Sequence, residues 1–272
     1  MLVVKNRQLT DLLIEVVVVR KIILIVLICV FIGSGLMLAG TLMEYKQGQD
    51  LYEAAAEQVI IPEKPVAEEE PDGPAAPFPP AIDFDLLSSI SPDSVGWIWI
   101  PDSEISYPLV QGRDNQFYLT RTYDGGHNKL GSIFLDYRIP GDFSGRNTII
   151  YGHNMKSDAM FGTLEKFRDQ AYVDARPQFY ILREDGVHRY QIFSAYVTDA
   201  LSDTYTYQFG NDAAYAKYLE KVTKLSDITP PVADNASIQL PDPGVPIVTL
   251  STCTSTGRQL DRFVVHGFLI SE

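Results

Sequence analysis

Residues 22–43 form an uncharged, apolar run of 22 residues, IILIVLICVFIGSGLMLAGTLM. As a helix this run reaches about 33 Å, enough to cross the hydrocarbon core of a bilayer. Arg20 and Lys21 flank its N-terminal side, Lys5 and Arg7 lie further back, and Glu44 follows it. The positive-inside rule then puts the N-terminus in the cytoplasm and the rest of the chain outside. A cleaved signal peptide is the rival reading. The length of the apolar core opposes it, as does the lack of a clean small-x-small site, Leu38-Ala39-Gly40 being a weak candidate. The expectation is a single-pass anchor at 22–43 behind a cytoplasmic segment at 1–21. Val16–Val19 is also apolar, but Glu15 and Arg20 interrupt it, so it reads as a cytoplasmic or interfacial extension, or else the true start lies further downstream.

Residues 44–81 read as an extracellular stalk. Glu44 to Gln58 is polar and alanine-containing and can continue as helix. The segment from Pro62 to Pro80 is rich in proline and glutamate, cannot bury a core and is expected to be extended. A folded domain is expected over 82–272, about 190 residues and enough for one sizeable core. Lys5, Arg7, Arg20 and Lys21 against Asp11 and Glu15 leave residues 1–43 at +2, so the net charge of −13 leaves −15 for the outer part. A nucleic-acid partner needs a basic face, and this exterior is acidic.

Strand signals dominate the outer part. Val95–Ile100, Ile105–Val110, Gly131–Leu135 and Thr148–Tyr151 are short apolar runs between turn residues. Phe179–Leu182 and His188–Val197, joined through Glu184-Asp185-Gly186, read as a hairpin. Val245–Thr249 and Phe263–Ile270 complete the set. Helices are expected at Asp83–Ser91, Met160–Arg168 and Asp212–Leu225, the last with Tyr215, Tyr218, Leu219 and Val222 at helical spacing. Many short strands with inserted helices suggest a closed or nearly closed β-barrel.

Cys253 is the one cysteine outside the apolar run, at the end of a strand-like segment, and Arg262 opens the next. A lone thiol outside the cytoplasm has no intramolecular disulfide partner, so it is idle or a nucleophile. Of the four histidines, His188 reads as an exposed hairpin residue, His266 as a core or barrel-face residue and His127 as a loop residue. His153 stands at a strand-to-loop edge after Ile149-Ile150-Tyr151-Gly152, where reactive groups tend to sit. A thiolate nucleophile needs an acid for the departing amine, which imidazole supplies, and a donor for the oxyanion, which guanidinium supplies. On residue types alone a buried structural cysteine is an equal reading, and Arg262 could pair with Asp261 or Asp136.

Thr249-Leu250-Ser251-Thr252-Cys253, followed by Arg262 to Gly267, resembles the C-terminal signature of the sortases. Asn147–Met155 followed by Met160–Leu164 resembles the histidine region of their class B branch. Trp97–Pro101, Tyr107–Val110, Asn115–Leu119 and the long insert with the 212–225 helix fit the same branch, so the likeness covers about residues 84–272. It implies a mainly β fold, a closed eight-stranded barrel with an N-terminal helix and an inserted helix before the cysteine strand. It implies a cysteine transpeptidase, with Cys253 cutting a sorting signal after threonine to form a thioester. His153 would be the general acid and base, and Arg262 would hold substrate and oxyanion. Ser251 and Thr252 would line the cleft, Tyr205 and Tyr207 would wall it, and Asn115 would join the substrate site.

The implied partners are surface proteins with a C-terminal sorting signal and a peptidoglycan precursor amine, or a pilin lysine in a polymerising variant. The membrane is the third partner, and no cofactor or metal is implied. Class C pilin polymerases carry a second, C-terminal membrane helix, and the sequence shows none after Phe263–Ile270, so wall anchoring is the expectation. A free thiol titrates near 8.5 and a free imidazole near 6.5. A Cys–His pair with those values carries both charges in a minority of molecules, which makes for a slow enzyme. The rival readings are a secreted cysteine peptidase of another fold and a silent, membrane-tethered binding module.

Overall fold

The computed structural model describes residues 2–61, 78–230, 241–254 and 258–271. The chain forms two compact units, Met1–Gln47 and Gly48–Glu272. Helix α1, Leu2–Val59, supplies the first unit and opens the second. No proline interrupts it, and it stops where Val59-Ile60-Ile61 precedes Pro62, a residue that disfavours helix in its predecessor. Over the 22–43 run the apolar side chains are exposed, Phe31 at 80% and Met37 at 79%. Among the described residues this is the one helix long and apolar enough to cross a membrane.

The last turns of α1 belong to the folded domain. Tyr52, Ala55 and Val59 share one helix face at spacings of three and four and are buried in the core. The compact unit that holds the barrel begins at Gly48. The polar residues around Tyr52 hide a narrow apolar stripe that an average over the segment does not reveal. The proline-rich part of the expected stalk, 62–77, lies outside the described residues. Strands β1 (Ile60–Ile61) and β2 (Ala81–Ile82) pair antiparallel. Helix α2 (Phe84–Ile90) follows, its N-terminus capped by Asp83, which accepts from the Leu86 N–H at 2.9 Å.

Eight further strands close a barrel: β3 (Ser94–Trp99), β4 (Ser106–Val110), β5 (Ile133–Leu135), β6 (Asn147–Tyr151), β7 (Gln178–Arg183), β8 (Gly186–Asp199), β9 (Ile247–Cys253) and β10 (Asp261–Ser271). Their order around the barrel is β10-β8-β7-β3-β4-β5-β6-β9, closing through the antiparallel β9–β10 pair. The β4–β5 and β6–β9 pairs are parallel. Closure removes free sheet edges, so short strands hold without a partner chain.

Side chains alternate across the wall. On β9 and β10, Val248, Leu250, Phe263 and Val265 enter the main core. Ile247 and Val264 point the other way, into a second cluster with Phe193, Tyr215, Tyr218, Leu219 and Val222. The last four lie on α4 (Asp212–Lys224), the expected insert helix, which thus covers the outer face of β8, β9 and β10. Helix α3 (Gln170–Ala175) is short. The helix expected over Met160–Arg168 contracts to a 3-10 turn at Leu164–Arg168. Asp158 and Met160 hold positive φ, and Met160 bridges back to Asn154, so the chain enters too sharply for α-helix. His188 is buried, not exposed: Asp185 folds across the hairpin turn onto its Nε2 at 3.0 Å. His266 is fully buried, and His127 is an exposed loop residue.

Candidate active site

The parallel β6–β9 pair builds the site. Ile149 pairs with Thr249, Ile150 with Leu250 and Tyr151 with Ser251, so both strands end at the same rim. Three hydrogen bonds continue the pairing past the last rung. The Gly152 N–H donates to Ser251 O at 3.1 Å. Thr252 Oγ1 donates to Gly152 O at 2.8 Å, and Asn154 Nδ2 donates to Cys253 O at 2.8 Å. His153 and Cys253 therefore leave their strands side by side. On the other edge of β9, Arg262 stands directly opposite Cys253 in the β9–β10 register. Alternation puts Tyr151, Ser251, Cys253 and Arg262 on the outer face, away from the barrel core.

These groups line one cavity of about 340 Å³ together with Asn115, Leu119, Phe134, His153, Tyr205 and Thr252. The thiol is exposed at the strand end, and Cys253 is a free cysteine. His153 Nε2 lies 2.6 Å from Leu119 O. A carbonyl oxygen only accepts, so Nε2 carries the hydrogen and Nδ1 remains for proton exchange. The Arg262 guanidinium is held in place by its own loop, donating from Nη1 to Gln259 O at 2.9 Å and to Asp261 O at 3.0 Å. Both acceptors are backbone carbonyls.

Ser251 and Thr252, expected to line the cleft, do so, but their hydroxyls are engaged. Ser251 Oγ shares a 2.9 Å hydrogen bond with Tyr205 OH, and Thr252 ties the strand ends as described. Burial pushes the Tyr205 phenol up to about 12, so it stays protonated at neutral pH. Asn115 is among the lining residues. Tyr207 is not: its ring lies under the Arg138 guanidinium, 4.9 Å from ring centroid to Cζ. The 3-10 turn at Asp203–Tyr205 ties Tyr205 to Ser251, and the extended chain beyond it carries Tyr207 to Arg138.

The sequence raised Asp136 only as a possible partner of Arg262, and the structure pairs it with Arg138 instead. It sits at the end of β5 with its side chain fully buried, and it joins several pocket residues. It accepts from Arg138 Nε at 2.9 Å and Nη2 at 2.6 Å, from Asn115 Nδ2 at 3.0 Å and from Tyr151 OH at 3.0 Å. Burial alone would raise its carboxyl. The Arg138 and Asn115 hydrogen bonds outweigh it and hold the group below the usual carboxylate range. The one signal in the sequence was an acid directly after an apolar strand, Ile133-Phe134-Leu135-Asp136. Among the described residues no three His, Cys, Asp or Glu side chains converge as metal ligands.

A thiol, an imidazole and a guanidinium share one rim of a closed eight-stranded barrel, a set suited to cysteine acyl transfer. The sortase domain family matches residues 98–270, and the chain belongs to the sortase family. A curated relative, sortase B of Listeria monocytogenes, is 36% identical over 189 residues, covering 68% of this chain and 73% of that protein. The Bacillus anthracis sortase B in complex with AAEK1 superposes with a TM-score of 0.66 at 31% identity, covering 85% of this chain and 100% of that one. A Staphylococcus aureus sortase B–substrate complex gives 0.66 at 27% identity, covering 84% and 99%. These relatives place the chain in the class B branch.

Proposed function

We propose that this chain is a membrane-anchored class B sortase whose nucleophile is Cys253. The observation that carries the reading is the parallel β6–β9 pair, at whose rim His153 and Cys253 line one cavity, with Arg262 paired to Cys253 across β9–β10. Its substrate is a surface protein with a C-terminal sorting signal, cut after threonine. The likeness to a relative captured as a substrate complex supports an extended peptide in the cavity beside Tyr151, Ser251 and Tyr205. Asn115, held by Asp136 through one of its amide hydrogens, has a second amide hydrogen for that peptide.

The Cys253 thiolate attacks the threonine carbonyl carbon, and the oxyanion that forms lies against the Arg262 guanidinium. The C–N bond breaks as the departing nitrogen takes a proton from His153 Nδ1. That leaves a thioester and a neutral imidazole. An incoming amine of a cell-wall precursor gives its proton to the same nitrogen and attacks the thioester carbonyl, and the thiolate departs. The acyl chain is thereby moved to the new amine. The N-terminal helix anchors the protein with the barrel outside the cell, facing both substrates.

The full chain in detergent, offered threonine-containing sorting peptides with and without small amines, tests this reading. Hydrolysis without amine and ligated product with it are expected, both lost in Cys253→Ala and in His153→Ala. Product formation that ignores the amine marks a plain peptidase, and full activity in Cys253→Ser removes the mechanism.

A further inference from the structure

The last turns of α1 hold the residue that backs His153. Gly131 has φ +67°, a conformation that suits glycine, and it lies against the His153 ring. A Cβ built there would lie 2.8 Å from His153 Cδ2 and 2.9 Å from Leu119 O, the carbonyl that receives the imidazole N–H. Gly131 thus backs both the ring and the group that orients it. The Gly131 carbonyl is held in turn by Tyr52 of α1, whose hydroxyl donates to it at 2.7 Å and lies 3.0 Å from Ser132 Oγ. Ser132 Oγ donates to Arg121 O at 2.7 Å, so its own hydrogen is used there.

Tyr52 also braces the other side of the histidine loop. Its ring meets Tyr107 edge to face at 5.4 Å between centroids. Tyr107 OH accepts from the Met160 N–H at 3.1 Å, and Met160 bridges to Asn154. Phe161 N–H then donates to His153 O at 3.0 Å. One side chain of α1 therefore fixes the backing of the imidazole and the return of the loop that carries it. The core needs the ring of Tyr52; the phenol oxygen has a separate task, because the Gly131 carbonyl it holds is adjacent to the acid–base group.

We propose that Tyr52 is a positioning residue for His153, so that the end of the anchor helix is a working part of the active site. This rests on His153 being the general acid and base. The consequence is a chain whose turnover depends on a docked α1, beyond what α1 adds to stability.

Tyr52→Phe in the full chain tests it, since this change keeps the ring contacts and removes the hydroxyl alone. We expect kcat for peptide cleavage to fall about three- to tenfold, with KM for the sorting peptide unchanged. The rate of Cys253 alkylation by a small reagent should not change. With isotope-labelled histidine, of which the chain has four, the His153 ring signal should shift or broaden while His266 and His188 hold. Gly131→Ala, which drives a methyl against the ring, should lower kcat further. A Tyr52→Phe protein that melts lower but keeps its kcat and its His153 signal overturns the proposal and leaves Tyr52 a core residue. His153→Ala run in parallel separates the two readings. If it stays active, the assignment of His153 fails; if it is dead while Tyr52→Phe is unaffected, only the coupling fails.

Discussion

His266 gives the fold a defined acid sensitivity. Its imidazole is fully buried between α4 and the barrel wall, and Nδ1 lies 2.9 Å from Thr249 Oγ1. Thr249 spends its hydrogen on Asn147 Oδ1 at 2.7 Å, so it accepts from Nδ1, and Nε2 accepts from Tyr196 OH at 3.2 Å. The ring is therefore neutral in the folded protein, and burial pushes its pKa down to about 3. An unfolded chain takes up that proton near pH 6.5, so the stabilising effect is complete above about 6.5 and declines as pH falls. The decline is up to about 1.4 kcal/mol per pH unit, which amounts to a few kcal/mol by pH 4.5. Urea unfolding at pH 7.5 and 4.5, on the wild type and on His266→Gln, reads this directly. Glutamine keeps a donor and an acceptor but does not titrate, and carboxylates common to both proteins cancel in the comparison. The wild type should lose about 2–3 kcal/mol more than the variant between the two pH values. Equal losses refute the claim that a buried neutral His266 limits acid stability.

Further outcomes follow from the same geometry. Asp136→Asn should lower stability by about 2 kcal/mol in thermal melts and raise KM for the sorting peptide, because Tyr151 and Asn115 lose a charged acceptor. Trp97, fully buried on β3 with its Nε1 donating to Ser106 Oγ at 3.0 Å, should cost about 3–5 kcal/mol on change to alanine, read by chemical unfolding. A chain beginning at Ile82 should melt about 10 °C below one beginning at Gly48, since it lacks the buried Tyr52, Ala55 and Val59. Gly267→Ala should fold poorly, because its methyl would lie 2.3 Å from Phe179 Cε1, and soluble yield or calorimetry would report it.

The barrel strands were legible as short apolar runs, such as Trp97–Ile100 and Phe263–Val265, bounded by turn residues. The rim was legible through the resemblance of Thr249–Cys253, Arg262–Gly267 and Asn147–Met155 to the sortase motifs, since residue types alone left a structural cysteine as an equal reading. Parallel pairing between β6 and β9 was not readable from either strand alone, since each is an apolar run that fits several partners. The docking of α1 escaped because Tyr52, Ala55 and Val59 are three residues in a segment otherwise polar enough to look like a tether. His188 looked exposed because hairpin residues near a turn usually are; Asp185 reverses that by closing over it. The role of Asp136 escaped for a different reason. A lone acid after a strand looks like a turn residue until Asn115 and Tyr151, from other parts of the chain, converge on it.

The parallel β6–β9 contact joins segments about a hundred residues apart, with the hairpin and α4 lying between them in sequence. Contacts of such long range form late when a chain emerges and collapses, because the loop they close is large. Until that rung registers, the thiol is an ordinary side chain with no imidazole beside it. The candidate site is thus completed only when β6 and β9 pair, so a chain in which they have not paired carries an unassisted thiol.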